Sequence, residues 1–283
     1  MSRFCLTVIY LLFSFTVLFA QEFYQNRKLV KVWETPEGLN VPESAFYYKK
    51  EKVIYVSNIA GMHNVKDTLG FISKLNDKGE FIEKEWVRGL DAPKGIGISK
   101  RKLYVTNIDE VVEVDLKTAQ ILKRYKNPKV VAVNDVAVDA KGNVYVTDTK
   151  TNCLFRIGKD SLEVFKQAEE INKVNGGCVY NKQLLFGSNG RLAALDLKTK
   201  TIKILADSTG YLDGIVAVGK NKIVTSDWKG KMQLIEIGKN IETLLNTTPL
   251  EIYTADLGYI PKQKLLLVPT FYNNKVVAYK LND

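Results

Sequence analysis

Six polar side chains recur at the starts of equivalent apolar segments: Glu43, Lys94, Asn134, Asn175, Asp213 and Asp256, 38 to 51 residues apart. Three are carboxylates and two are amides. If the chain folds so that these positions ring one axis, their oxygens suit a hard divalent cation, calcium first and magnesium next. Two carboxylates with two neutral amides would balance a 2+ charge. No Cys or His joins the set, which disfavours softer ions, although zinc accepts carboxylates. A structural reading competes, because Asn and Asp commonly begin strands through Asx-turns and Gly follows them for turn geometry. That reading serves most single positions but not Glu43, a poor turn residue.

Such a ring needs elements that repeat with the same period. Strands ending in Ser/Thr followed by Asn or Asp recur as Ile54-Tyr55-Val56-Ser57-Asn58, Leu103-Tyr104-Val105-Thr106-Asn107 and Val144-Tyr145-Val146-Thr147-Asp148. Weaker versions lie at 184–188, 223–227 and 265–270. Strand-only repeats of this length indicate radially repeated sheets. Four strands are expected in each of five repeats: 44–48, 52–58, 70–75 and 80–86; 94–99, 102–107, 110–115 and 120–125; 135–139, 143–148, 152–157 and 162–165; 177–180, 183–187, 192–197 and 201–205; 214–218, 222–227, 232–237 and 241–244. The sixth has three, 257–260, 264–269 and 275–281, and segment 28–33 is the expected donor of its fourth. The expected fold is all-β: a six-bladed propeller of four-stranded blades, the last closed by the N-terminal strand, which removes a sheet edge. In a propeller the start of each inner strand and the loop after each second strand share one face. His63, in loop 59–69, and Trp228, Phe271 and Tyr272 therefore belong on the face that carries the polar ring.

The first twenty residues stand apart. Arg3 is the only charge before Glu22, and residues 4–20 are almost continuously apolar. A basic start, an apolar middle and Ala20 at the end describe a secretory signal at 1–20. The remainder, 21–283, reads as one domain, exported to the periplasm or beyond, with no membrane attachment once the signal is cut. The net charge of +10 sits on lysines in turns, without a basic helix or RNA-binding aromatic motif, so nucleic acid is not an expected partner. Cys153 and Cys178 remain after signal removal; export permits a bridge between them, but two cysteines make no disulfide framework. No phosphate loop, nucleophile elbow or His-Glu-x-x-His helix occurs.

Glu43, Asn134-Asp135, Asn175-Gly176 and Asp213-Gly214, in that blade order, resemble the senescence marker protein/gluconolactonase/luciferin-regenerating-enzyme family of six-bladed propellers. The resemblance implies one divalent cation held by Glu43, Asn134, Asn175 and Asp213, and metal-assisted hydrolysis of a lactone or related ester. On it, Asp213 is also the general base and Asp135 supports it as a second catalytic carboxylate. His63, Lys94, Trp228 and Tyr272 are the candidate substrate contacts on the same face. Sugar-lactonase members carry an Arg two residues before the blade-three Asn; Ala132 stands there in this chain, which argues against sugar-acid lactones. The expected partner is a small-molecule lactone or ester bound by a monomer. The alternative is a non-catalytic propeller similar to NHL-repeat proteins, presenting the same face to a protein or carbohydrate.

Overall fold

Residues buried on both faces write near-continuous apolar runs, and that is how the second strand of each repeat reads. The computed structural model describes residues 23–283; the expected signal at 1–20, with Cys5, lies outside the described residues. Six antiparallel sheets stand around one axis. Blade one comprises Pro42–Tyr48, Val53–Asn58, Gly70–Asn76 and Phe81–Leu90. Blade two comprises Pro93–Ser99, Lys102–Asn107, Glu110–Asp115 and Ile121–Tyr125. Blade three comprises Val133–Val138, Val144–Asp148, Cys153–Ile157 and Leu162–Gln167. Blade four comprises Asn175–Tyr180, Gln183–Ser188, Arg191–Asp196 and Ile202–Ala206. Blade five comprises Leu212–Gly219, Lys222–Asp227, Lys231–Glu236 and Asn240–Asn246.

Blade six has Gly258–Ile260, Leu265–Pro269 and Val276–Leu281, and its outer strand is Leu29–Glu34 from the other end of the described chain. The register runs from Leu29 opposite Leu281 to Glu34 opposite Val277. The sequence expectation of a ring closed this way is met. One strand was not foreseen: Tyr24–Gln25 pairs with Asn246 and Leu245 as a fifth, outermost strand of blade five. Between the two, Asn26 donates to Glu242 at 2.9 Å and Lys28 pairs with Glu242 at 2.7 Å. Two-residue strands carry no periodicity, so nothing in the sequence could reveal this one.

The core is divided among the blade interfaces. Val53, Tyr55, Ile72 and Trp86 of blade one meet Ile96, Leu103 and Val112 of blade two. Equivalent clusters lie between each later pair, and Ile54, Val56 and Leu75 meet Ile260, Leu265 and Ala278 to join blade one to blade six. Outer strands alternate or face solvent, as Leu29–Glu34 does after its buried first residue.

Closure rests on few buried side chains from the N-terminal strand, with Leu29 only 1% exposed. Leu29→Ala should therefore cost about 2–5 kcal/mol, the usual penalty for a cavity at a fully buried leucine. Denaturant unfolding checks this, while Val30→Ala on the exposed face should change stability by less than about 0.5 kcal/mol.

Candidate functional site at the channel mouth

The inner strands begin earlier than the sequence suggested, and the reason is local. Pro42, Pro93, Val133, Asn175 and Leu212 each still pair with the end of the neighbouring strand, and the register then shifts at Glu43, Lys94-Gly95, Asn134-Asp135, Gly176-Gly177 and Asp213-Gly214. A bulge adds a residue to one strand and re-aims its side chain. Each polar residue of the ring in blades one to five thus sits at or beside a bulge rather than in a turn.

The Ser/Thr-Asn/Asp endings of the second strands hold these bulges in place. Ser57 Oγ accepts from Ser44 N at 3.0 Å, Thr147 Oγ1 from Asp135 N at 2.9 Å, and Ser226 Oγ from Gly214 N at 2.8 Å. The next residue secures the loop that leads in: Asn107 Oδ1 accepts from Asp91 N and Ala92 N, and Asp148 Oδ2 from Val131 N and Ala132 N. The strand-end residues Asn58, Asn107 and Asp148 are accordingly structural. Close approach between neighbouring inner strands explains two glycines. A Cβ on Gly214 would lie 2.3 Å from Leu257 N, and Gly176, at φ +71°, donates its N–H to Asp135 Oδ2 at 2.7 Å.

Glu43, Asn134, Asp135 and Asp213 are buried, between 2% and 8% exposed, and Asn175 and Asp256 are half-buried. Asn175 Nδ2 donates to Asp213 Oδ1 at 2.5 Å, while Asn175 Oδ1 accepts from Gly176 N at 3.0 Å. Ser44 Oγ donates to Asp256 Oδ2 at 2.6 Å, and Asp256 N donates to Glu43 O at 2.9 Å, joining blades one and six. Lys94 Nζ lies 3.8 Å from Glu43 Oε1, and its side chain is 16% exposed.

These carboxyls feel one another. Burial pushes the Glu43 carboxyl up; the Lys94 ammonium opposes this, and the charges of Asp213 and Asp256 add to it. Burial likewise raises Asp135, reinforced by Asp256, Glu43 and Asp213. Burial raises Asp213 to about 6 against the pull of Lys94 and the Asn175 hydrogen bond. Burial also raises Asp256 to about 7, opposed by hydrogen bonds from Ser44 and Asp135 and aided by the Asp213 charge. Glu43 and Asp213 each open an inner strand, and the inner strands run the same way, so both lie at the same end of the channel. Blades three and six stand opposite each other in a six-membered array, so Asp135 and Asp256 enter from opposite sides of the polar ring. Below it runs a cavity of about 530 Å³ lined by inner-strand residues including Ile98, Val138, Cys178 and Tyr259.

Among the described residues, five buried side-chain atoms have no hydrogen-bond partner, and two of them, Glu43 Oε2 and Asn134 Oδ1, belong to this ring. Both are acceptors. A buried acceptor without a donor is costly, and a cation satisfies it. No group of three His, Cys, Asp or Glu side chains is arranged to hold a metal among the described residues; the four expected ligands, Glu43, Asn134, Asn175 and Asp213, comprise two carboxylates and two amides.

The structure distributes the remaining candidates unevenly. His63 is exposed in its loop, and partial burial of its ring together with the charges of Lys94 and Lys150 holds the imidazole below the usual value. Trp228, Phe271 and Tyr272 come together with Tyr253, which the sequence pattern does not single out, at centroid distances of 4.6 to 6.3 Å. Phe271 is buried there, whereas Trp228 and Tyr272 keep 37% and 59% exposure. Ser44, which holds Asp256, is likewise not evident from sequence; only the parallel with Asp135 and Gly214 across repeats draws attention to its position. Cys153 and Cys178 are both free.

The profile of the NHL repeat matches residues 133–157, the first three strands of blade three. A comparison with curated proteins found no match. Among solved structures, a streptogramin B lyase superposes with TM-score 0.64 at 15% identity, covering 92% of this chain and 98% of that one. A gluconolactonase from Xanthomonas campestris superposes with TM-score 0.68 at 11% identity, covering 89% of each chain. A nidogen/laminin complex superposes with TM-score 0.60 at 13% identity, covering 85% of this chain and 88% of that one. At these identities the likeness is one of fold: the chain is a six-bladed β-propeller.

The raised carboxyls carry a stability signature. Asp213 and Asp256, near 6 and 7 when folded, fall to about 4 when unfolded. The folded form therefore holds protons that the unfolded form releases, and stability drops as pH rises from about 4 to about 7. Metal-free protein should melt at a lower temperature near pH 8 than near pH 5. Asp256→Asn should flatten that dependence in calorimetry; an equally steep profile in the variant would assign it elsewhere.

Proposed function

We propose that the protein is an exported, divalent-cation-dependent hydrolase acting on a lactone or related ester as a monomer. The observation that carries this reading is the pair of orphaned acceptors, Glu43 Oε2 and Asn134 Oδ1, in the same ring as Asp213 and Asn175. The donors fit the ion: carboxylate and amide oxygens suit calcium, with magnesium or zinc as alternatives. Glu43, Asn134, Asn175 and Asp213 would hold it. When bound, the cation supplies Lewis acidity toward a carbonyl oxygen and lowers the proton affinity of water.

The chain's own residues supply the rest. Asp213 has a proton affinity near 6, so at neutral pH it is ionised and still basic enough to take a proton from water. The Asn175 amide donates to Asp213 Oδ1 and fixes the carboxylate. Asp135, tied to Gly176 N, sits beside this pair and keeps the Asn175-Gly176 backbone in place. Trp228 and Tyr272 offer apolar surface on the same face. The fold neighbours named as a gluconolactonase and a lyase are enzymes by their printed names, which supports a catalytic reading without choosing the reaction.

A second reading has its own support. The NHL-repeat match and Ala132 fit a non-catalytic propeller that binds a protein or carbohydrate on this face. Calcium calorimetry and metal analysis separate the two. The hydrolase reading expects about one ion per chain, and Glu43→Gln should weaken binding at least tenfold. Asp213→Ala should lower turnover of a lactone or aryl ester by about 10² to 10⁴. Metal content far below one ion per chain under calcium-replete conditions would favour the binding module.

A further inference from the structure

The polar ring stands at one end of the axis, and the other end is open. The cavity of about 530 Å³ beneath the ring has Ser44 and Asp256 at its inner end and residues of all six inner strands as its wall. It extends to Asp139 and Ala140, past the end of Val133–Val138, and so opens on the face opposite the polar ring. Burial falls along the strands in that direction. Ile96, Val136 and Leu257 are buried, whereas two residues on, Ile98, Val138 and Tyr259 are half-buried. Apolar walls and a volume of this size are those of a small-ligand pocket. The polar groups of the wall are largely engaged already: Ser44 Oγ donates to Asp256 Oδ2 at 2.6 Å, and Asp139 Oδ2 accepts from Asn143 Nδ2 at 2.7 Å.

The turns that frame the opening are basic. Each turn from a first to a second strand carries at least one exposed lysine: Lys49, Lys100, Lys141, Lys182, Lys220 and Lys262. Lys141 directly follows Ala140 of the cavity wall. The Lys100 stem packs on Gly142 of the same turn, where an added Cβ would lie 3.2 Å from Lys100 Cε, and Ser99 Oγ donates to Gly142 O at 2.9 Å. None of the six lysines has a carboxylate within ion-pair distance among the described residues. Glu51 and Asp139 are the acids of these turns; Glu51 faces Lys74 at 3.7 Å, and Asp139 is held by its own turn.

We infer that the open end of the channel is a second ligand site, and that it takes an amphiphilic anion with one aliphatic chain, of the fatty-acid kind. The chain enters the axial cavity, where burial of each methylene is favourable, and the carboxylate stays at the rim among ammonium groups. The site lies across the polar ring from the proposed reaction and does not depend on it.

Calorimetry with hexanoate, octanoate and decanoate, each below its micellar concentration, tests this. One chain should bind per protein, with affinity rising about fourfold for every added methylene. Decanol should bind more weakly than decanoate, and decyltrimethylammonium more weakly still. Lys100→Glu combined with Lys141→Glu should reduce decanoate to the level of decanol. Ala217→Phe in the wall and Ala140→Trp at the exposed lip should each weaken decanoate about tenfold by filling the space for the chain, with melting temperature measured alongside to confirm folding. The inference is overturned if decanoate shows no saturable binding, if decyltrimethylammonium binds as tightly, or if neither filling variant weakens decanoate. Adsorption to phosphatidylglycerol vesicles without uptake of free decanoate would also overturn it, and would make this face a membrane-docking surface instead.

Discussion

Pairing between the two ends of the described chain, Leu29–Glu34 against Val276–Leu281, sets the geometry of everything on the axis. A closed ring of six sheets has a fixed circumference, so the inner strands cannot splay apart and their first residues must face one another. Each blade interface buries its own apolar cluster, and residues such as Ile96 and Ala45 carry these clusters to the wall of the axial cavity. The polar residues there are held by backbone and hydroxyl hydrogen bonds rather than by apolar packing. Ser57, Thr147 and Ser226 provide those bonds at equivalent places in blades one, three and five.

What the ring holds is an electrostatic imbalance. Burial raises the proton affinity of Glu43, Asp135, Asp213 and Asp256, neighbouring carboxylates of the set add to the rise at Glu43, Asp135 and Asp256, and Lys94 is the cation that opposes it at Glu43 and Asp213. Charges in a poorly solvated place are tolerated when paired, protonated or bound to an ion. Burial holds Asp256 up near 7, which fits protonation, and the orphaned oxygens of Glu43 and Asn134 fit a cation. The same axis thus offers two ways of settling its charge.

The architecture was legible because strand periodicity survives in every repeat, and because the sixth repeat visibly lacked a strand that 28–33 could provide. The ring of polar residues was legible for the same reason: equivalent positions repeat. The bulges were not, since a bulge is a property of pairing register and leaves no composition signal at Glu43 or Asn134. Tyr253 joins Trp228 and Tyr272 from a connecting segment whose course no period records. The expected signal at 1–20 and the identity of the ion stand as sequence expectations.

The pairing that closes blade six has a temporal side. Thr35 Oγ1 accepts from Val276 N across 241 residues, so the strand made early on the ribosome has to wait, unpaired, for one made far later. Contacts this distant in the chain slow folding, because the connecting loop must be ordered before they form. Assembly of the last blade is therefore a late event, and the carboxyls of the axis meet only when it has happened. A chain that cannot finish until its two ends touch remains threadable for as long as it is being made, a property that would suit the proposed passage across a membrane before folding.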